Sequence, residues 1–234
     1  MKIFFSSFFG VLAAIFFLIL VGIGLASIPV ETPEIESNTT LFIRLDGLVQ
    51  DRPTNSLALL EELLDQPPTL SLTETLLALD AAADDERIKE VRIELGLMDM
   101  GYASIQELRS AFQELVQKEK AVYVYAKVYS QKMAYLARAA SKVYIAPGGL
   151  VEFSGLSASP LYFKGALDKL GVEAHLIRGS DNIYKSAGEP FIAEEMSEAN
   201  RRQIEERLQS LYAGILSDLH QDGLDTAALD ARIE

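Results

Sequence analysis

The alternation of strand-like and helix-like segments is the feature that most constrains how this chain can fold. Short runs of β-branched and aromatic residues are followed repeatedly by longer runs whose apolar residues recur every three or four positions. The predicted strands are residues 40–45, 90–95, 121–126, 142–146 and 172–177. The predicted helices are residues 57–64, 72–83, 104–118, 131–140, 160–170 and 196–220. Strands and helices that alternate at this spacing favour βαβ units, so we expect an α/β fold with a parallel sheet and right-handed crossovers.

Polar residues and glycines mark several ends of these elements. Ser71 or Thr73 is a candidate N-cap for the helix 72–83, because a serine or threonine hydroxyl can accept a hydrogen bond from a free amide of the first turn. The pairs Asp46-Gly47 and Gly148-Gly149 predict turns.

The N-terminal segment predicts a membrane anchor. Residues 3–28 carry no charge, and a helix needs about 20 apolar residues to cross a bilayer. Lys2 precedes the run and Glu31 follows it, so the positive-inside rule places the N-terminal tail in the cytoplasm and the rest of the chain on the extracytoplasmic side of the membrane. A cleaved signal peptide is the alternative, although its apolar stretch is usually only about 7–15 residues long. We therefore expect a transmembrane helix in contact with membrane lipid over residues 1–28, a tether over 29–40 and one domain over 41–234.

Composition excludes several functional classes. The formal net charge of −13 argues against nucleic acid as a partner, because phosphate binding requires a basic face. The absence of cysteine excludes thiol nucleophiles, thiolate metal sites and disulfides. His175 is expected to be a packed or hydrogen-bonded strand residue and His220 to lie near a helix C-terminus, and neither has metal-ligand spacing. No glycine-rich phosphate loop occurs, so we predict neither a metal nor a cofactor.

Lys185 is the first candidate catalytic residue. It lies in the segment YKSAGEPF, residues 184–191, among small and apolar neighbours that could hold it away from water. Burial favours the neutral amine of a lysine, and a neutral amine can accept the proton of a serine hydroxyl. The alternative is a solvated loop lysine, which describes most lysines in proteins.

Ser130 is the second candidate. It falls between a predicted strand and a predicted helix, where a parallel sheet can present a nucleophile. A serine at this position is also a good helix N-cap, and this reading is favoured by the local sequence. The separation of Ser130 and Lys185 along the chain permits contact in an α/β fold.

A set of segments resembles the N-terminal half of the long-form signal peptide peptidase A (protease IV) family, peptidase family S49. The segments that carry this resemblance, including the lysine segment described above, are YSQ at 129–131, AYLA at 134–137, ASKVY at 140–144, LYFK at 161–164, LDKLGV at 167–172 and YKSAGEPF at 184–191. The resemblance implies a crotonase-like (ClpP-like) fold and a membrane-anchored serine–lysine endopeptidase that degrades cleaved signal peptides as a homotetramer. It implies that Lys185 is the general base, that the nucleophilic serine belongs to a second domain, and that Ser130 is not the nucleophile.

Two features depart from the family pattern. Residues 97–101 lack the proline-glycine-glycine turn that builds the oxyanion hole in catalytic domains, and the loop before Lys185 looks longer than usual. The last residues, 225–234, begin a helix without a terminating signal, so we expect a chain cut short before the serine-bearing domain and inactive by itself. The alternatives are a non-catalytic, membrane-tethered crotonase-like scaffold and a crotonase-type acyl-CoA enzyme.

Overall fold

The computed structural model of this protein describes residues 2–26, 35–51, 69–177, 179 and 182–231. It divides into two compact units, Met1–Glu36 and Ser37–Glu234. The strands of the second unit are β1 (Thr39–Gln50), β2 (Thr69–Ser71), β3 (Ile88–Asp99), β4 (Ala121–Tyr129) and β5 (Lys142–Val151). Its helices are α2 (Leu72–Asp84), α3 (Tyr102–Gln117), α4 (Gln131–Ala137), α5 (Lys164–Lys169), α6 (Glu189–Ile192), α7 (Glu198–Gln221) and α8 (Thr226–Asp230).

The first unit contains helix α1, Lys2–Ala26, so the helical conformation predicted there is confirmed. Side chains are described for residues 8–21, and all of them are exposed. Among the described residues, no helix is both long and apolar enough to span a membrane, and the predicted transmembrane helix is therefore not found in that part of the chain.

The second unit is built on a parallel sheet with strand order β2-β1-β3-β4-β5. Alternation along β3 creates its two faces: Val91, Ile93 and Leu95 are buried, whereas Arg92 is exposed. The buried face joins the apolar sides of α2, α3 and α4 in one core. This parallel α/β sheet confirms the predicted fold class and fits a ClpP-like fold.

Two predicted turns are wrong, because the strands continue through them. β1 passes Asp46 and Gly47 with a shift in register against β3, and Gly47 has a positive φ of 88° that favours glycine. β5 includes Gly148-Gly149, and its pairing with β4 shifts register between Ala126 and Val128. Both strands carry a register shift near these points and extend beyond their predicted ends.

The predicted strand 172–177 is also wrong: these residues belong to no strand of the described sheet. Ile177 is 97% exposed. Apolar alternation makes a segment suitable for a sheet, but a strand forms only where a neighbouring strand supplies backbone hydrogen bonds. The predicted helix 160–170 shortens to α5, and the predicted helix 57–64 lies outside the described residues.

Helix α7 is fastened to the core at its C-terminal end. Ile215 and Leu219 are buried there. The buried guanidinium of Arg109, on α3, forms an ion pair with Asp222, immediately after α7, and donates a hydrogen bond of 2.8 Å to the carbonyl oxygen of Tyr135 on α4. This cluster joins α3, α4 and the end of α7.

Candidate functional site

Ser130 lies at the junction between β4 and α4 and acts as a helix cap. Its Oγ accepts a hydrogen bond from the backbone N–H of Met133 at 3.5 Å, and its carbonyl oxygen accepts one from Ala134 at 2.8 Å. The N-cap reading of the sequence is therefore confirmed. The described hydrogen bonds of Ser130 all remain within its own helix, so the pairing of Ser130 with Lys185 stays a prediction.

Gln131, the next residue, braces three segments at the C-terminal edge of the sheet. Its buried side chain accepts hydrogen bonds from the backbone N–H groups of Ser154 and Gly155, at 3.1 and 2.8 Å. Its Nε2 donates to the hydroxyl of Tyr102 at 2.9 Å. The side chain of Gln131 thereby links the start of α4 to α3 and to the segment after β5.

Lys132 adds a further contact at the same edge. Its Nζ donates a hydrogen bond of 2.7 Å to the carbonyl oxygen of Met100 and lies 5.4 Å from the centre of the Tyr102 ring. Residues Met98 and Asp99 continue β3 and pair with β1. The segment that lacks the proline-glycine-glycine turn is thus largely strand.

Burial raises the pKa of two tyrosine hydroxyls near this junction. Burial raises the pKa of Tyr129 to about 12, and its hydroxyl donates a hydrogen bond of 2.8 Å to the carbonyl oxygen of Tyr144. Burial and a hydrogen bond to Asp218 raise the pKa of Tyr135 to about 12. Both hydroxyl groups remain neutral at physiological pH and serve as structural donors.

Lys185 lies on an irregular turn before α6. Its backbone N–H donates a hydrogen bond of 3.2 Å to the carbonyl oxygen of Asn182, while its side chain is exposed. Tyr184 and Ala187 are exposed as well. Of the two readings of the sequence, the exposed loop lysine is therefore confirmed, and shielding by the neighbouring side chains is not found among the described residues.

The residues that follow Lys185 fix the turn to the segments 163–176. A Cβ placed on Gly188 would lie 2.6 Å from Cδ1 of Leu176, so glycine permits a close approach there. The carbonyl oxygen of Pro190 accepts a hydrogen bond from the N–H of Phe163 at 2.6 Å. The rings of Phe191 and Phe163 stack with their centres 5.8 Å apart.

Glu189 is the residue of this motif that sequence reasoning missed. It is only 5% exposed, and its carboxylate accepts three hydrogen bonds from the start of α7. The donors are the Ser197 hydroxyl at 2.5 Å, the Ser197 backbone N–H at 3.3 Å and Nδ2 of Asn200 at 3.0 Å. The capping sequence Ser197-Glu198-Ala199-Asn200 is the signal that could have pointed to it, because the polar groups of Ser197 and Asn200 need an acceptor where they are buried.

The two histidines add no catalytic group. His175 is exposed, and its Nε2 lies 3.9 Å from Oε2 of Glu173, so the expectation of a packed strand residue is wrong. His220 lies in the last turn of α7, as predicted. In the part of the chain that the structure describes, no cluster of three or more histidine or acidic side chains could hold a metal ion.

Comparison with known proteins places these features in a family context. Residues 114–224 match the model of peptidase family S49. Protease 4 of Haemophilus influenzae is 31% identical over 188 residues, which is 78% of this chain and 30% of that protein. Protease 4 of Salmonella typhi is 30% identical over 210 residues, 86% of this chain and 34% of that protein.

A more distant relative is the chloroplastic serine protease SPPA of Arabidopsis thaliana. It is 25% identical over 135 residues, which is 58% of this chain and 20% of that protein. The chain thus spans about a third or less of the length of the curated relatives that it matches.

Proposed function

Because this chain belongs to peptidase family S49, we propose that it supplies the general base of a serine–lysine endopeptidase that degrades cleaved signal peptides. The observation that carries the proposal is the geometry of the turn that bears Lys185. The turn lies inside the region that matches the family model, its lysine is exposed, and the residues that follow are anchored on two sides.

The reaction would be acyl transfer to a serine. The neutral amine of Lys185 takes the proton of the serine hydroxyl while the serine Oγ attacks the scissile carbonyl carbon. The resulting ammonium then gives its proton to the departing peptide nitrogen, which leaves an acyl-enzyme ester. A water molecule attacks this ester, again with Lys185 as base, and releases the peptide acid and the serine.

We propose that the nucleophilic serine of this reaction is a residue other than Ser130. The Ser130 hydroxyl caps α4, and the side chain of the adjacent Gln131 bonds Tyr102 and Gly155. Lys185 also needs a cover, since burial favours the neutral amine of a lysine over its charged form. Exposed apolar side chains beside it, Ile183, Tyr184 and Phe191, offer a surface that such a cover could bury.

The cellular location is a separate part of the proposal. We propose attachment to the inner membrane through residues 3–28, with the α/β unit on the periplasmic side. The support is the lack of charge in this run and the exposed apolar side chains of residues 8–21. Extraction of membranes with alkaline carbonate, followed by sequencing of the mature N-terminus, distinguishes an anchor from a cleaved signal peptide.

A homotetramer is likewise proposed, and sedimentation of the detergent-solubilised protein tests it.

The catalytic proposal is tested with the full-length protein expressed from its native gene. Lys185→Ala is compared with Lys169→Ala, which removes an exposed lysine from the end of α5. Loss of a general base should lower kcat on a synthetic signal peptide by about 10²–10⁴-fold, whereas the control should keep wild-type activity. Equal activity of wild type and Lys185→Ala would refute the proposal. A wild-type protein without hydrolytic activity would favour the scaffold.

A further inference from the structure

We propose that Glu189 is a positioning residue for Lys185, acting as a buried clamp between the lysine turn and the first turn of α7. This inference rests on the proposed function, in which Lys185 is the base. Glu189 would not touch the substrate; it would determine where the Lys185 amine lies.

The clamp is a match between acceptors and donors. An ionised carboxylate only accepts hydrogen bonds, and three donors from Ser197 and Asn200 converge on this one. Ser197 is itself the N-cap of α7, where its Oγ accepts from the N–H of Asn200 at 3.2 Å. The carboxylate also lies at the positive end of the dipole of a 24-residue helix. Charge, geometry and burial therefore all hold Glu189 in one position.

Backbone hydrogen bonds of the turn link the position of Glu189 to that of Lys185. The N–H of Glu189 donates a hydrogen bond of 2.9 Å to the carbonyl oxygen of Ser186, the residue next to Lys185. The N–H of Lys185 in turn donates to the carbonyl oxygen of Asn182 at 3.2 Å. Two consecutive hydrogen-bonded turns thus connect the clamp to the lysine, so a shift of Glu189 displaces the lysine backbone.

Removing the clamp should therefore affect catalysis more than binding. A displacement of about 1 Å at a catalytic group can cost up to about 10²-fold in rate. For Glu189→Ala in the full-length protein we expect kcat to fall by about 10–100-fold while KM stays within about twofold. Glu189→Gln preserves the shape, keeps one acceptor oxygen and can donate to the Ser197 hydroxyl, so it should recover most of the lost kcat.

A matched control separates positioning from general destabilisation. Tyr135→Phe removes the hydroxyl that bonds Asp218 near the other end of α7. It loosens the same helix at a site remote in sequence from the lysine turn, so it should lower Tm without lowering kcat. Asn200→Ala removes one of the three donors to Glu189 and keeps the test available if Glu189→Ala does not fold. It should lower kcat in the same direction by about three- to tenfold.

A second measurement of the clamp does not depend on enzymatic activity. In the 234-residue chain, hydrogen exchange at the amides of Lys185 and Glu189 should accelerate by about tenfold or more in Glu189→Ala and remain unchanged in Tyr135→Phe. Unchanged exchange, or a folded Glu189→Ala enzyme with wild-type kcat, would overturn the clamp. Failure of the proposed function gives a different result: Lys185→Ala would be as active as wild type, whatever the exchange at the turn.

Discussion

The junction at Ser130 and the turn at Lys185 use polar residues in opposite ways. At the junction, the polar side chains of Ser130 and Gln131 form hydrogen bonds with neighbouring backbone or side-chain groups where two regular elements meet. At the turn, the lysine side chain is exposed, while the backbone that follows it is anchored through the buried Glu189. The polar groups of the junction therefore stabilise the fold, whereas those of the turn hold an exposed lysine in place, as the proposed catalytic role requires.

Helix α7 connects the two regions. Its first turn donates to Glu189, and its last turn is fastened to α3 and α4 beside the Ser130 junction. Substitutions at the two ends of this helix should therefore have different consequences: loss of stability at the C-terminal end and loss of catalytic geometry at the N-terminal end.

The largest effect on stability is expected at the C-terminal end of α7. Asp222→Ala leaves the buried guanidinium of Arg109 without its carboxylate, which should lower the free energy of unfolding by about 3–5 kcal/mol. Urea denaturation of the 234-residue chain measures this. Asp230→Ala, at an exposed carboxylate of α8, serves as the control. A loss below about 1 kcal/mol for Asp222→Ala would place this pair among surface ion pairs.

A smaller loss of stability is expected when Gln131 is replaced. Gln131→Ala leaves the N–H groups of Ser154 and Gly155 without their acceptor, so the free energy of unfolding should fall by about 1–3 kcal/mol. Gln131→Glu keeps the acceptor and should restore part of the loss. An alanine variant as stable as wild type would show that water satisfies these groups and that the junction is not a structural brace.

Ser130→Ala should lower the free energy of unfolding by a still smaller amount. It removes the cap of α4 and should destabilise the chain by about 1 kcal/mol, as measured by urea denaturation. Ser130→Asp keeps a capping oxygen and should remain close to wild type. Equal destabilisation by both substitutions would contradict the capping role.

The last prediction concerns the alkaline pH range, where Tyr135 titrates. Its pKa is raised to about 12 in the folded chain, above the ordinary value of about 10, so the folded state retains its proton longer than the unfolded state. The corresponding stabilisation is fully present below about pH 10 and is lost as pH rises toward 12. Tyr135→Phe should therefore show a shallower loss of stability between pH 10 and 12 in alkaline unfolding. An unchanged pH dependence would show that Tyr135 does not titrate with unfolding.

The sequence allowed prediction of the elements that local periodicity encodes. Helix α3 and strands β3 and β4 bury one side of a regular repeat, and the Ser71 and Ser130 caps follow from local hydrogen-bonding rules. Strand β2 has only three residues, too few for a pattern. The strand expected at 172–177 failed because strand formation depends on a partner distant in the sequence.

The candidate site was predicted only in part, for the same reason. Lys185 stands out through its neighbours and through the family resemblance. The role of Glu189 depends on Ser197 and Asn200, which reach it only after α7 has folded back onto the turn. Local sequence does not encode that contact, although it does favour an exposed loop lysine at position 185, as the structure shows.

The most direct test of this account measures hydrolysis of a synthetic signal peptide by the full-length protein carrying either Lys185→Ala or Ser130→Ala. We expect Lys185→Ala to lower kcat by at least about 10²-fold, whereas Ser130→Ala should lower stability but keep kcat near that of wild type. Loss of activity in a folded Ser130→Ala protein, or full activity in Lys185→Ala, would contradict it.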